Sequence, residues 1–360
     1  MAEATWWSNS SGEVFYVDGN GTLWAAPRHG YGFGQIPNQP SPVAAGLSVP
    51  PISQYWGEAW FIGEDGNLYI AYSTDGSEID WAYWPANSTP GGPQAGNLRA
   101  LSPSAGADLN NYLGGMVVDK NNILWEYSYS NVWSWHKLLA LPEPPQSDIS
   151  YIHNTYAYYP MIAVSYVSEM GNLWVVQFDA NMNSTTQNLG NLTWSGAPGM
   201  YSTYWEFGGI IASNNDIGGY NPTVVFAFVP SGGIWQLVQL GEPSPQCVWG
   251  DNMTAASWID LQGEENVVGA MKCQNPVTGT YGFAYAFYST DTGSWDPVWD
   301  TYLAASVGEA TEPYAFNNST YNGSFSIIAG GTDSKIYEWN YEDRDQAGDG
   351  WVGTALPFTY

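Results

Sequence analysis

The stretch Val117-Val118-Asp119-Lys120-Asn121-Asn122-Ile123-Leu124-Trp125-Glu126 decides the fold. An apolar run ends at an Asp, an Asn-rich turn follows, and an alternating run leaves it. Turn residues between two such runs read as a β-hairpin. The phrase recurs as Gly21-Thr-Leu-Trp-Ala, Asn67-Leu-Tyr-Ile-Ala, Asn172-Leu-Trp-Val-Val, Gly233-Ile-Trp-Gln-Leu and Ser334-Lys-Ile-Tyr-Glu-Trp. Each copy follows another apolar strand: Val14–Val17, Ala59–Ile62, Gly115–Val118, Ile162–Val167, Val224–Val229 and Phe325–Ala329. Residues 267–288 supply a degenerate copy, with Tyr281–Tyr288 as its second strand.

The repeated Leu or Ile stands at 23, 68, 124, 173, 234 and 336. Steps of roughly 45 to 60 residues, once the degenerate copy is placed between 234 and 336, suit a four-stranded propeller blade and are too long for a leucine-rich repeat. Helical repeats would show a 3.6-residue period, whereas these runs alternate. The expected fold is all-β: one β-propeller domain over residues 1–360, with six or seven four-stranded blades. The Pro-rich stretch Leu141–Pro145 falls between repeats, as a connection between blades should.

Composition narrows the function. The 360 residues carry 34 Asp and Glu against 7 Lys and Arg, a formal net charge of -27, with 20 Trp and 26 Tyr. So few bases cannot neutralise phosphates, which removes nucleic acid as a partner. An anionic membrane surface is removed for the same reason. No run of 18 apolar residues occurs, the length a membrane-spanning helix needs. A hydrophobic fraction of 44% argues against disorder.

Asn-X-Ser/Thr occurs at Asn9, Asn20, Asn87, Asn183, Asn191, Asn252, Asn318 and Asn322, and at Asn317 overlapping the next. So many acceptors in turn-like sequence point to N-linked glycans and a secretory or extracellular location. Met1-Ala2-Glu3 reads as a start from which any leader has been removed. In that compartment Cys247 and Cys273 read as one disulfide, contributing ~3 kcal/mol in the chain-entropy model; two buried thiols are the alternative. Two Cys with His29, His136 and His153 show no metal-ligand spacing, so no metal and no cofactor are expected.

The phrase Val117–Glu126 with Trp133, and Ile336-Tyr337-Glu338-Trp339, resembles the fungal fucose-specific lectin family, a six-bladed propeller. The likeness covers most of the chain as a rhythm, through short motifs. It implies sugar sites built from a second-strand Arg, a third-strand Glu or Gln, and a stacking Trp or Tyr. Glu126 and Glu338 match the acid, and Gln236 matches it more weakly. No second strand carries an Arg; the chain has only Arg28, Arg99 and Arg344. A repeated arginine-dependent sugar site cannot be built.

A propeller without those arginines but rich in Trp and Tyr suits a flat, apolar ligand. The whole-chain character also resembles the secreted fungal hetero-Diels–Alderases of tropolone–sesquiterpenoid biosynthesis, of the eupenifeldin type. These join a tropolone-derived o-quinone methide to a humulene-type alkene. That resemblance implies small apolar natural-product substrates held in near-attack geometry by an aromatic wall. Trp56, Tyr55, Tyr158, Trp205, Tyr314 and Trp339 are the wall candidates. Lys272, His153 and Arg99, expected on strands at or near the innermost position, would orient the tropolone oxygens. A lectin with degenerate sugar sites is the alternative, and a homodimer is left open.

Overall fold

The computed structural model describes residues 13–27, 34–48, 58–73, 81–107, 113–154, 161–202, 207–214, 223–231, 233–241, 252–259, 265–274, 281–289, 293–295, 300–302, 314–317, 324–330, 335–342 and 350–359. These residues form seven antiparallel sheets. In five of them four strands follow one another in chain order, the first has three and the sixth five, which is the blade pattern of a β-propeller. Among the described residues helix is limited to one 3-10 turn, Ala86–Ser88.

The chain divides into two compact units, 1–170 with 176–186 and 360, and 171–175 with 187–359. The boundary falls inside the fourth sheet. The first unit begins with Glu13–Val17, Leu23–Pro27 and Gly34–Gln35 as the first sheet. The second sheet is Val43–Ser48, Glu58–Gly63, Leu68–Ser73 and Trp81–Pro85. The third is Ser104–Ala107, Leu113–Val118, Ile123–Tyr129 and Trp133–Ala140. The fourth is Ser150–Asn154, Met161–Val167, Leu173–Phe178 and Ser184–Asn188. Here the first strands of the first and second sheets are neighbours, as are those of the third and fourth.

The second unit holds three sheets. The fifth is Trp194–Ser202, Phe207–Asn214, Thr223–Ser231 and Ile234–Gly241. The sixth is Met253–Ile259, Glu265–Gln274 and Tyr281–Ser289, whose last strand pairs with both Ser294–Trp295 and Asp300–Tyr302. The seventh is Tyr314–Asn317, Ser324–Gly330, Lys335–Glu342 and Gly350–Thr359. First strands again lie next to one another, fifth to sixth and sixth to seventh.

Burial explains the sequence pattern. Every residue of Leu113–Val118 and Glu58–Gly63 is buried, because a second strand is covered on both faces. Its sequence is therefore a continuous apolar run. The last strands are exposed, as in Ser184–Asn188, and carry the polar residues.

Each early hairpin turn is tied to the segment that enters its own blade. The backbone N–H of Glu64 donates to Pro42 O at 2.9 Å, that of Lys120 to Asn97 O at 2.7 Å, and that of Glu169 to Pro144 O at 2.8 Å. The neighbouring turn residues Gly21, Gly66, Asn122 and Gly171 all have positive φ, from 62° to 78°. At Gly66 a Cβ would lie 2.6 Å from Gly96 O, so the linker passes where only glycine leaves room. Asp119 organises its turn by accepting from the N–H of Asn121 and Ile123, and from Trp125 Nε1 at 3.1 Å. Asp18 does the same for Asn20, Thr22 and Trp24.

The structure corrects one expected strand and its cation. Arg99 is expected on a strand at or near the innermost position, but Leu98–Leu101 around it is not a strand; the first strand of the third sheet is Ser104–Ala107. Leu98 makes an isolated bridge to Asp119, and its N–H is taken by Gly66 O. The stretch is a tie between blades, and Pro103 separates it from the strand proper.

Candidate functional site

The second and third sheets meet in a seam of aromatic rings. Trp60 and Tyr127 are fully buried and Trp135 nearly so. Tyr127 stacks on Trp133, centroids 4.8 Å apart and planes 10° from parallel, and lies 4.6 Å from Trp135. Trp60 meets Tyr127 edge-on at 6.1 Å and Trp133 at 5.8 Å. These separations are those at which ring quadrupoles attract. The seam closes tightly because Gly115 lies beneath Trp60: a Cβ there would be 2.8 Å from Trp60 Cζ3.

The polar atoms in the seam are satisfied. Trp84 Nε1 donates to the Tyr127 hydroxyl at 2.7 Å, and Thr89 Oγ1 shares a hydrogen bond with it at 2.9 Å. Trp135 Nε1 donates to Ala86 O, and Trp60 Nε1 to Glu58 Oε1 at 2.6 Å. Burial pushes the Tyr127 hydroxyl above its ordinary pKa, partly offset by the bonds from Thr89 and Trp84. Trp84 stays 38% exposed, and Trp133 and Tyr129 are half-buried, so the outer margin of the seam offers ring surface to a ligand.

The opposite face of the third sheet is polar. Glu126 and Ser128 are buried on the third strand. In register across from them on the last strand stand His136 and Ser134. Ser134 Oγ lies 2.9 Å from His136 Nε2. On the other side of Glu126, in the second strand, stands Met116, which is fully buried. Glu338 in the seventh sheet has Ile328 at the same register position, and is itself buried. Where the resemblance to fucose lectins would set an arginine beside the acid, this chain has an apolar residue in both cases. Gln236 is exposed and faces Val229 in register.

The three proposed cations are differently placed. Arg99 is an inter-blade clamp: Nη1 pairs with Glu169 Oε1 at 3.1 Å, and Nη2 donates to Asn122 Oδ1 at 2.6 Å. Nη1 also approaches Pro145 O at 3.4 Å. His153 is on the first strand of the fourth sheet, opposite Ile162. Lys272 is on the second strand of the sixth sheet, opposite Phe283, and is half-buried. Arg99 and His153 belong to the first unit and Lys272 to the second.

Tyr55, Trp56, Tyr158, Trp205 and Cys247 lie outside the described residues. Tyr314, Trp339 and Cys273 have described backbone in the seventh and sixth sheets, with side chains outside the description. Asn9, Asn318 and Asn322 also lie outside. Asn20, Asn183 and Asn191 are exposed and Asn252 is half-buried. Asn87 Nδ2, the atom a glycan would join, is buried, while its Oδ1 accepts from Leu68 N–H at 2.9 Å. That geometry opposes a glycan on Asn87. The seam itself went unforeseen, although Tyr127-x-Tyr129 and Trp133-x-Trp135 are its visible signature. Alternation places those rings on one face, but only the register pairs them.

No protein-family model matches the chain. No curated protein matches it. Solved structures do. AofleA from Arthrobotrys oligospora superposes with a TM-score of 0.55 at 10% identity, covering 87% of this chain and 88% of that one. A mutant of the Aleuria aurantia lectin, in complex with Fucalpha1-6GlcNAc, gives 0.51 at 13% identity, covering 87% and 96%. At such identity the likeness is one of fold: the chain is a lectin-like β-propeller.

Proposed function

We propose that this protein is a biosynthetic pericyclase on a lectin-like propeller. It joins a tropolone o-quinone methide to a humulene-type alkene by an inverse-electron-demand hetero-Diels–Alder reaction. One observation carries the reading: beside both third-strand glutamates, the position an arginine would need holds an apolar residue, Met116 or Ile328. An apolar wall cannot grip sugar hydroxyls, but it accepts flat hydrocarbon rings. Two poorly soluble partners held against aromatic surface react as an effectively unimolecular pair. The half-buried rings of Trp133 and Tyr129 and the exposed edge of Trp84 are of that kind.

The test pairs two assays. A tropolone carbinol incubated with humulenol should give one cycloadduct stereoisomer faster than the uncatalysed mixture. Calorimetry against fucosides and a glycan panel should show no saturable heat. Glycan binding is the second reading, favoured by the survival of Glu126 and Glu338 and by the fucoside complexes of the fold neighbours.

We further infer passage through the secretory pathway, with glycans on exposed Asn20, Asn183 and Asn191. Peptide mass mapping before and after enzymatic deglycosylation checks each site. Residues 1–360 are read as one domain, which should melt in a single calorimetric transition; two resolved transitions would separate the units.

A further inference from the structure

Among the described last strands, Ile234–Gly241 of the fifth sheet is the one with an unguarded edge. An outer strand presents unpaired N–H and C=O groups, and native sheets blunt such edges. The other sheets end in strands that are short, polar, charged or broken by proline. Gly34–Gln35, Ser294–Trp295 and Asp300–Tyr302 are short. Ser184–Asn188 has only polar side chains, and Trp133–Ala140 exposes His136 and Lys137. Trp81–Pro85 ends in proline and Gly350–Thr359 carries Pro357. Ile234–Gly241 runs eight residues without charge or proline, and Ile234 and Val238 are 58% and 46% exposed. Leu240, on the same side of the strand by alternation, packs against the core of Ile210, Met253 and Met271.

The direction of this edge is fixed by Gln187. Its Oε1 accepts from the Trp235 N–H at 2.8 Å, and its Nε2 donates to Trp235 O at 2.6 Å. Both backbone groups of Trp235 therefore point away from the neighbouring strand, where Pro230 stands opposite and has no N–H to offer. Alternation turns those of Leu237 and Gln239 the same way. Among the described residues no side chain or loop takes them. Charge selects the occupant. From 180 to 241 only Glu206 and Asp216 are charged, against 34 acids and 7 bases in the whole chain. Two chains of net charge -27 repel where their acids meet, and this sector brings the fewest together.

We propose that Ile234–Gly241 pairs edge to edge with the same strand of a second copy of this chain, around a two-fold axis through Val238. A two-fold interface uses one patch twice, so the strand must complement itself. Centred on Val238, Leu237 of each copy exchanges both backbone bonds with Gln239 of the other, and the two exposed valines meet on the axis. Gln187 already holds Trp235, so the pairing ends there, which sets its length and register.

This inference is independent of the reaction proposed above, and the intact protein tests it. Sedimentation velocity over a roughly thousand-fold range of concentration should show single copies giving way to dimers. Val238→Lys and Val238→Glu each set like charges face to face on the axis. Each should raise the dimer dissociation constant roughly ten-fold or more. Using both signs separates that effect from the net charge of the chain. Val132→Lys, at a valine 68% exposed in a turn of the third sheet, should associate like wild type. Both valines are exposed, so all three variants should melt with wild type. Hydrogen exchange of the Leu237 and Gln239 amides should slow as concentration rises. A single copy at every concentration overturns the inference. So does a dimer that both Val238 variants leave intact, or one that Val132→Lys weakens equally. Slow exchange of those two amides at the lowest concentration, where single copies prevail, would show the edge covered within the chain and overturns it as well.

Discussion

The third sheet has two faces built from alternate residues of the same strands. One carries Tyr127, Trp135 and Trp133, locked against Trp60 of the second sheet. The other carries Glu126, Ser128, Ser134 and His136. The stacked face gains its stability from burial and ring geometry, and the Tyr127 hydroxyl and the Trp60 and Trp135 indole N–H groups are paired. The polar face holds a buried carboxylate, Glu126, and an exposed imidazole, His136, and burying the carboxylate costs stability. The lesson is that a one-residue offset along a strand separates scaffold from candidate site. Substitutions on the two faces should therefore be read out differently.

The largest expected effect is on the stacked face. Trp60→Ala removes a fully buried indole and deprives Glu58 of that donor, so we expect about 3–5 kcal/mol lost in chemical denaturation. A loss under about 1 kcal/mol would break the comparison, since the seam would then be no more than decoration. Asp119→Ala should follow, at about 1–3 kcal/mol, because three donors lose their acceptor. Tyr127→Phe deletes the oxygen that accepts from Trp84 and meets Thr89. It should cost about 1–2 kcal/mol and leave the ring packing intact by near-ultraviolet circular dichroism.

Smaller effects test the ties around the seam. Arg99 and Glu169 form a partly exposed pair, so a double-mutant cycle should give coupling of about 0.5–1 kcal/mol. Arg99→Ala should lower the melting temperature without changing turnover, as befits a clamp. A selective loss of turnover would instead restore Arg99 as an orienting cation. The turn aspartates give an acid signature. Burial alone would raise the carboxyls of Asp18 and Asp65. Hydrogen bonds from Thr22, Asn20 and Trp24, and from Tyr69 and Asn67, outweigh it and hold both below the ordinary value of 3.8. A depressed carboxyl adds stability above its unfolded pKa and loses it as pH falls through the folded one. Stability should thus decline below about pH 4, and Asp65→Asn should flatten that acid limb.

The blades were legible because a hairpin is written locally: a turn rich in Asp, Asn and Gly, and an aromatic directly after the repeated Leu or Ile. Expected Val14–Val17 and Ala59–Ile62 became Glu13–Val17 and Glu58–Gly63, and the degenerate copy became the complete sixth sheet. The seam was not legible. Its partners Trp60 and Tyr127 stand in different blades, and sequence carries no distance between them. Arg99 misleads because Leu98-Arg99-Ala100-Leu101 alternates like a strand, while the hydrogen bonds of Leu98 go to the tie between blades. His136 reads in the sequence as an outer residue; only the register sets it across from Glu126.

The most direct test of the central claim is one product analysis. Purified protein is given a racemic tropolone carbinol and humulenol, and the adducts are separated on a chiral column beside a protein-free control. The account expects a single cycloadduct stereoisomer, formed only with protein, and no saturable heat when the same preparation is titrated with methyl fucoside. Adducts identical to the control, together with saturable fucoside binding at several sites per chain, would contradict it.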